Sequence, residues 1–185
     1  MLGNSRTRNE VFTLPEKIPQ KIDPKVELNT TLLRLGAMTA QQWGQLKQFQ
    51  GKYTTLYLRF RYGGPDTHVL LAFIERELVH VEWIVPARKL KRRYCFVPDN
   101  SYSIISCLTR QDLRGLGIFP SQIQRVVESD IPAKLFRIWA ASSNAPSLKG
   151  IRKAGGIKVG EFIHKKWFWG SISRTEYFPV VGDGK

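Results

Sequence analysis

The chain has 185 residues, 42% hydrophobic and 24% charged, which suits one well-filled globular core and excludes a chain disordered throughout. Its 29 Lys and Arg against 15 Asp and Glu leave a net charge of +14, a field that attracts polyanions, although a solvated basic exterior accounts for it equally well. Two cysteines, Cys95 and Cys107, exclude a disulfide framework. The scattered His68, His80 and His164 give no metal-ligand spacing, and no apolar run approaches the roughly 20 residues of a membrane span.

Residues 1–30 are polar, basic and interrupted by Pro15, Pro19 and Pro24, unlike a signal peptide. They are expected as a loosely ordered basic arm with a short strand near Val11 and Leu14. Residues 31–185 are expected as the folded domain, and the location as cytoplasmic. A short strand is predicted over 32–35. Thr39, with Gln42 three residues on, forms a capping-box pattern that opens a helix carrying Trp43, Leu46 and Phe49 on one face.

Residues 53–62, rich in aromatic and β-branched side chains and closed by Gly63-Gly64-Pro65-Asp66, read as a strand. A hairpin follows over 68–74 and 78–85. In it Val79, Val81 and Trp83 alternate with His80 and Glu82, giving one buried face and one more polar face. Residues 86–100 read as a loop that carries Arg88-Lys89-Leu90-Lys91-Arg92-Arg93.

A strand is predicted over 102–109, then a turn over 110–117, a helix over 118–129 and a strand over 135–141. A second helix opens at Asn144 with Pro146 in its first turn and ends at Gly155-Gly156. Closing strands are expected over 158–164 and 167–178. Strands first, then strand-helix-strand-helix-strand, describe a mixed α/β sheet with helices on both faces.

The stretch Leu113-Arg114-Gly115-Leu116-Gly117-Ile118-Phe119-Pro120 lies between a predicted strand and a predicted helix. Glycines let the backbone turn tightly, the helix N-terminus offers unpaired N–H donors, and Arg114 adds a fixed cation. Together they make a cradle for a diphosphate. The turn is neither a Walker loop nor G-x-G-x-x-G. Some 30 residues downstream lies Asn144-Ala145-Pro146-Ser147-Leu148-Lys149-Gly150-Ile151-Arg152-Lys153-Ala154-Gly155.

As a pair, over roughly residues 65–165, these blocks resemble the GNAT superfamily of N-acyltransferases. Arg114-Gly115-Leu116-Gly117 is similar to its R-x-x-G acetyl-CoA motif. Asn144, Ser147 and Lys153-Ala154-Gly155 are similar to its later asparagine-to-glycine helix. The resemblance implies a mostly antiparallel central sheet with helices on both faces. It also implies acetyl-CoA or another acyl-CoA as cofactor and an amine acceptor as partner. Cys107, Leu108, Thr109 and Asn144, with Ser147, would meet the pantetheine arm. Arg114, Gly115, Leu116, Gly117, Ile118 and Phe119 would hold the pyrophosphate. Glu82 or His80 would serve as general base, although both also fit plain strand residues.

Three positions depart from the family pattern. Phe119 stands where a small residue is usual, Ile151 where many members have a tyrosine acid, and Gly156 where a phenylalanine is common. The basic run suits the 3′-phosphate of CoA, an anionic acceptor, nucleic acid, or plain solvation. Trp167, Phe168 and Trp169 fit base stacking or edge cover. The implied activity is acyl transfer to a primary amine on an anionic small molecule such as an amino sugar. A transfer-RNA-borne amine, or a non-catalytic module that binds nucleic acid or a partner, remains open beside it.

Overall fold

The structure, a computed structural model, describes residues 5–94, 96–133, 135–166 and 173–180. Cys95 and the Trp167-Phe168-Trp169 stretch therefore lie outside the described residues. Strand β1 (Ser5–Leu14) comes first, then β2 (Asn29–Arg34), and helices α1 (Ala40–Gln50) and α2 (Lys52–Tyr62). Strands β3 (His68–Ile74) and β4 (Glu77–Pro86) form the expected hairpin, followed by a single helical turn, α3 (Ala87–Leu90). The remaining elements are β5 (Ser101–Thr109), α4 (Ile118–Val127), β6 (Leu135–Ala141), α5 (Ala145–Lys153), β7 (Ile157–Lys166) and β8 (Ser173–Pro179).

Among the described residues, the eight strands form one sheet in the order β2-β3-β4-β5-β6-β1-β7-β8. Its pairs are antiparallel except β5 with β6. Alternation within the strands divides the core in two. One cluster joins Phe12, Ile84, Ile104, Phe136 and Ile138 to Ile123 and Val126 of α4 and Leu148 and Ile151 of α5. The other joins Val81, Trp83 and Val85 to Leu46 of α1, Leu58 and Tyr62 of α2 and Leu90 of α3. The expected mixed sheet with helices on both faces is what forms.

The helix starts follow local chemistry. Thr39 Oγ1 accepts the Gln42 N–H at 3.2 Å and Gln42 Oε1 accepts the Thr39 N–H at 2.9 Å, completing the capping box. Asn144 Oδ1 accepts the Ser147 N–H at 3.2 Å at the start of α5.

Residues 53–62 correct the sequence expectation. Leu56, Leu58, Phe60 and Tyr62 alternate as in a strand, yet the segment is α2, burying Thr55, Leu58 and Tyr62 along one helical face. Tertiary contact decides the case. The Arg59 guanidinium lies 4.7 Å over the Trp43 ring of α1, and Leu58 and Tyr62 join the core cluster with Leu46 of α1 and Val81 and Trp83 of β4.

The N-terminal arm is a second correction. Residues 5–14 form an inner strand between β6 and β7, with Val11, Phe12 and Leu14 buried. Its polar residues hid this reading. Arg8 pairs with Glu161, and Glu10 accepts from Arg152 at 2.8 Å. Residues 15–28 then cross the α4–α5 face to reach β2 at the opposite edge.

The glycine pair after α5 is a tight stop. Gly155 has φ +94°, and the Gly156 N–H donates to Ile151 O at 2.9 Å. A Cβ on Gly156 would lie 2.6 Å from Ile151 Cγ2 and 2.8 Å from its carbonyl oxygen, so the family's phenylalanine does not fit here. Gly156→Ala is expected to destabilise the fold by about 1–3 kcal/mol. Urea unfolding followed by circular dichroism measures this, and an unchanged midpoint would contradict the packing described.

Candidate functional site

The site begins with one extra residue in β5. Val81 pairs with Leu108 and Trp83 with Ile105, so Ser106 and Cys107 together oppose Glu82. Ser106 takes φ +50°, which turns the strand. Just before this bulge the parallel ladder between β5 and β6 stops, its last pair being Ile104 with Ile138. Both strands continue, held on their outer sides. β4 pairs with Leu108 and Thr109, and β1 pairs with Trp139, Ala140 and Ala141. Between 105–109 and 139–141 two backbone edges face each other without a ladder. Such edges suit an extended chain with its own amides.

At the foot of this cleft lies the glycine turn. Gly115 and Gly117 have φ +84° and +83°, and among the described residues nothing beyond its chain neighbours lies within 4 Å of where a Gly115 Cβ would be. Gly117 caps α4, whose first N–H groups have no partner within the helix. Arg114 is exposed, and its Nε donates to Thr109 O at 3.3 Å, fixing the cation beside the turn. Open space, free donors, a helix N-terminus and a cation meet where a diphosphate would need them.

The Phe119 departure resolves itself structurally. Its ring packs over Gly150 of α5, where an added Cβ would sit 2.6 Å from Cδ1, so the side chain points away from the turn. Ile151 is 1% exposed in the core and offers no acid. Asn144, exposed at the N-cap of α5, accepts from the backbone N–H of Ser147, which is half-buried in the first turn of that helix.

His80 and Glu82 are not where the sequence suggested. The expected polar face of β4 is covered by α4, and both side chains are 0% exposed. His80 Nε2 is 3.0 Å from Glu82 Oε1, its Nδ1 is 2.7 Å from Thr109 Oγ1, and its ring is 6.2 Å from that of Phe119. Glu82 Oε2 has no hydrogen-bond partner among the described residues. Burial raises the Glu82 carboxyl above the usual carboxylate range, with His80 opposing the shift. Burial, reinforced by Glu82, also lifts the Cys107 thiol well above its usual range, so it is no ready nucleophile. In this arrangement both side chains lie in the interior beneath α4.

On the opposite face a groove of about 610 Å³ opens beside Leu108, Thr109 and Arg114, walled by Gln45, Gln48 and Phe49 of α1. Phe49, read from sequence as core, is in part a wall of this groove. The basic run lies elsewhere and is largely engaged within the protein. Arg88 pairs with Asp66, and Lys91 with Asp99. Lys89 Nζ donates to Gly63 O at 2.9 Å, and Arg93 Nη2 lies 2.7 Å from His164 Nε2.

Sequence reasoning also missed the brace behind the turn. The Lys25 N–H donates to Leu116 O at 2.9 Å, and Pro24 and Asp23 pack against Gly117. Gln124 of α4 accepts the Ile22 N–H at 2.9 Å and donates to Gln20 O at 2.8 Å. A lone glutamine in a helix carries no sequence signal for such a role.

Solved structures share this fold. A conserved protein of unknown function from Staphylococcus epidermidis aligns over 88% of this chain with a TM-score of 0.64 and 14% identity. A GNAT-family acetyltransferase from Colwellia psychrerythraea aligns over 95% with a TM-score of 0.57 and 11% identity. An aminoglycoside acetyltransferase from an uncultured soil metagenomic sample, in complex with sisomicin, aligns over 69% with a TM-score of 0.52 and 13% identity. The chain has the GNAT acyltransferase fold. It spans 62%, 57% and 86% of the length of these three structures, respectively. No protein-family model and no curated protein matches the sequence.

Two outcomes follow from the buried network and the brace. A carboxyl whose pKa is raised by folding holds its proton more tightly in the native state. Its stabilising contribution is therefore complete below the ordinary carboxylate range and is lost as pH rises through the raised value. Urea midpoints across that window should fall with pH more steeply in the wild type than in Glu82→Gln, and parallel profiles would contradict the assignment. Gln124→Leu should cost about 1–3 kcal/mol and speed hydrogen exchange at the Ile22 amide while core strands stay protected. Unchanged exchange at that amide would show that the glutamine does not hold the segment.

Proposed function

We propose that this protein is an N-acyltransferase that moves an acetyl or related acyl group from acyl-CoA to a primary amine. The observation that carries the reading is the splay of β5 and β6 with the Arg114–Gly117 turn at its foot. The opposed edges at 105–109 and 139–141 would bond the pantetheine amides. The N–H groups from Gly115 to Phe119, with Arg114, would hold the pyrophosphate. When bound, acyl-CoA supplies the activated thioester. A backbone N–H released at the Ser106–Cys107 bulge would polarise its carbonyl. The cleft itself would orient the amine, a contribution that proximity alone makes large. With His80 and Glu82 enclosed and Ile151 aliphatic, water in the open groove would carry off the amine's proton.

The groove favours an anionic acceptor such as a phosphorylated amino sugar. Arg76 and Arg114 line it, while Arg110 is paired with Glu77 and Asp112, so the cations at the wall exceed the carboxylates. A second reading keeps the chemistry and places the amine on a transfer RNA. The net charge of +14 favours it, and a steep loss of acceptor affinity with salt would distinguish it.

Calorimetric titration with acetyl-CoA tests the cofactor assignment. The wild type should bind saturably, and Arg114→Ala should bind about tenfold or more weakly. Gly117→Glu, which forces a side chain and a negative charge onto a φ of +83°, should abolish binding. A folded wild type that does not bind would overturn the acyltransferase reading and favour a non-catalytic module.

A further inference from the structure

Helix α2 presents an unusual outer face. At 3.6 residues per turn, Tyr53, Leu56, Tyr57 and Phe60 fall within an arc of about 100°. They are 87%, 42%, 51% and 94% exposed. The buried residues Thr55, Leu58 and Tyr62 lie on the opposite side of the helix. Lys52 and Arg59 flank the apolar stripe on one side and Arg61 on the other, and the helix contains no acidic residue. Three large aromatic side chains held in water on one helix are costly to maintain without a partner.

We propose that this face docks on an anionic phospholipid bilayer surface, lying in the interface with the stripe inserted and the cations at headgroup level. The charge pattern selects this occupant. A second copy would set Lys52, Arg59 and Arg61 against their own like charges. Stacking platforms for nucleic acid sit in a cationic groove, whereas this stripe is a convex ridge with cations on both sides. On the exposed face of α2, a ridge of tyrosine, leucine and phenylalanine flanked by Lys and Arg supplies the apolar stripe and cationic border of an interfacial contact. The surplus positive charge of the chain strengthens its attraction to anionic lipid. No described helix is long and apolar enough to cross a membrane, so the contact is peripheral.

Co-sedimentation with vesicles tests the proposal, comparing mixed phosphatidylglycerol–phosphatidylcholine vesicles with phosphatidylcholine alone. The wild type should partition onto the anionic vesicles and release as salt is raised. Tyr53→Ser combined with Phe60→Ser alters only exposed positions and should weaken partitioning at least about tenfold while leaving the unfolding midpoint unchanged. Three outcomes would overturn it. One is no partitioning by the wild type, and another is equal partitioning by the double variant, which would reduce the effect to general basic charge. The third is conversion of a wild-type dimer to a monomer in the variant, or loss of oligonucleotide binding, which would give the face to another occupant.

Discussion

The architecture of the site depends on one bulge. Two residues of β5, Ser106 and Cys107, stand against Glu82 alone, and the strand turns there. A regular β5 would continue its parallel ladder with β6 and the sheet would have no opening. With the bulge, the ladder ends at Ile104 and Ile138, and two strands already anchored on their outer sides present free edges to each other. The cleft is thus bought with a local defect and secured by β4 and β1, which is why a cleft with so much unpaired backbone can sit in the middle of an eight-stranded sheet.

The same region explains the buried His80–Glu82 pair. Their side chains face α4, whose N-terminus carries the glycine turn, and Thr109 Oγ1 ties the last residue of β5 to His80. The polar network therefore connects the last residue of β5, at the cleft, to the strand beneath α4. The segment 15–28 braces that helix from outside, through Lys25 on Leu116 and Gln124 on two backbone positions of the segment. The turn is held from both sides, and this rigidity is what an anion site made of backbone donors requires.

Positive charge is distributed by role. Much of the Arg88–Arg93 run is engaged with Asp66, Asp99, Gly63 and His164 and stabilises the cover of one sheet face. Arg114 stays exposed at the turn, and the cations of α2 border its apolar stripe. Net charge alone does not separate these uses, because a cation's effect depends on which carboxylates and carbonyls the fold brings beside it.

The sequence by itself determined the strand-turn-helix around Arg114 and Gly117, the capping box of α1, the Asn144 cap and glycine stop of α5, and the β3–β4 hairpin. These follow from glycine torsions, side-chain caps and periodicity over a few residues, and so are written locally. Tertiary structure decided what depends on distant partners. Residues 53–62 alternate like a strand but became a helix because α1 and the sheet offered a helical seat. The polar N-terminus became an inner strand because β6 and β7 pair with it on both sides and bury Val11, Phe12 and Leu14, while Glu161 and Arg152 meet its charges. His80 and Glu82 alternate with Val81 and Trp83 as a solvent-facing pair would, yet α4, more than 30 residues away in the chain, covers them. Burial on a strand's second face is a property of what packs there, and no periodicity within the strand records it.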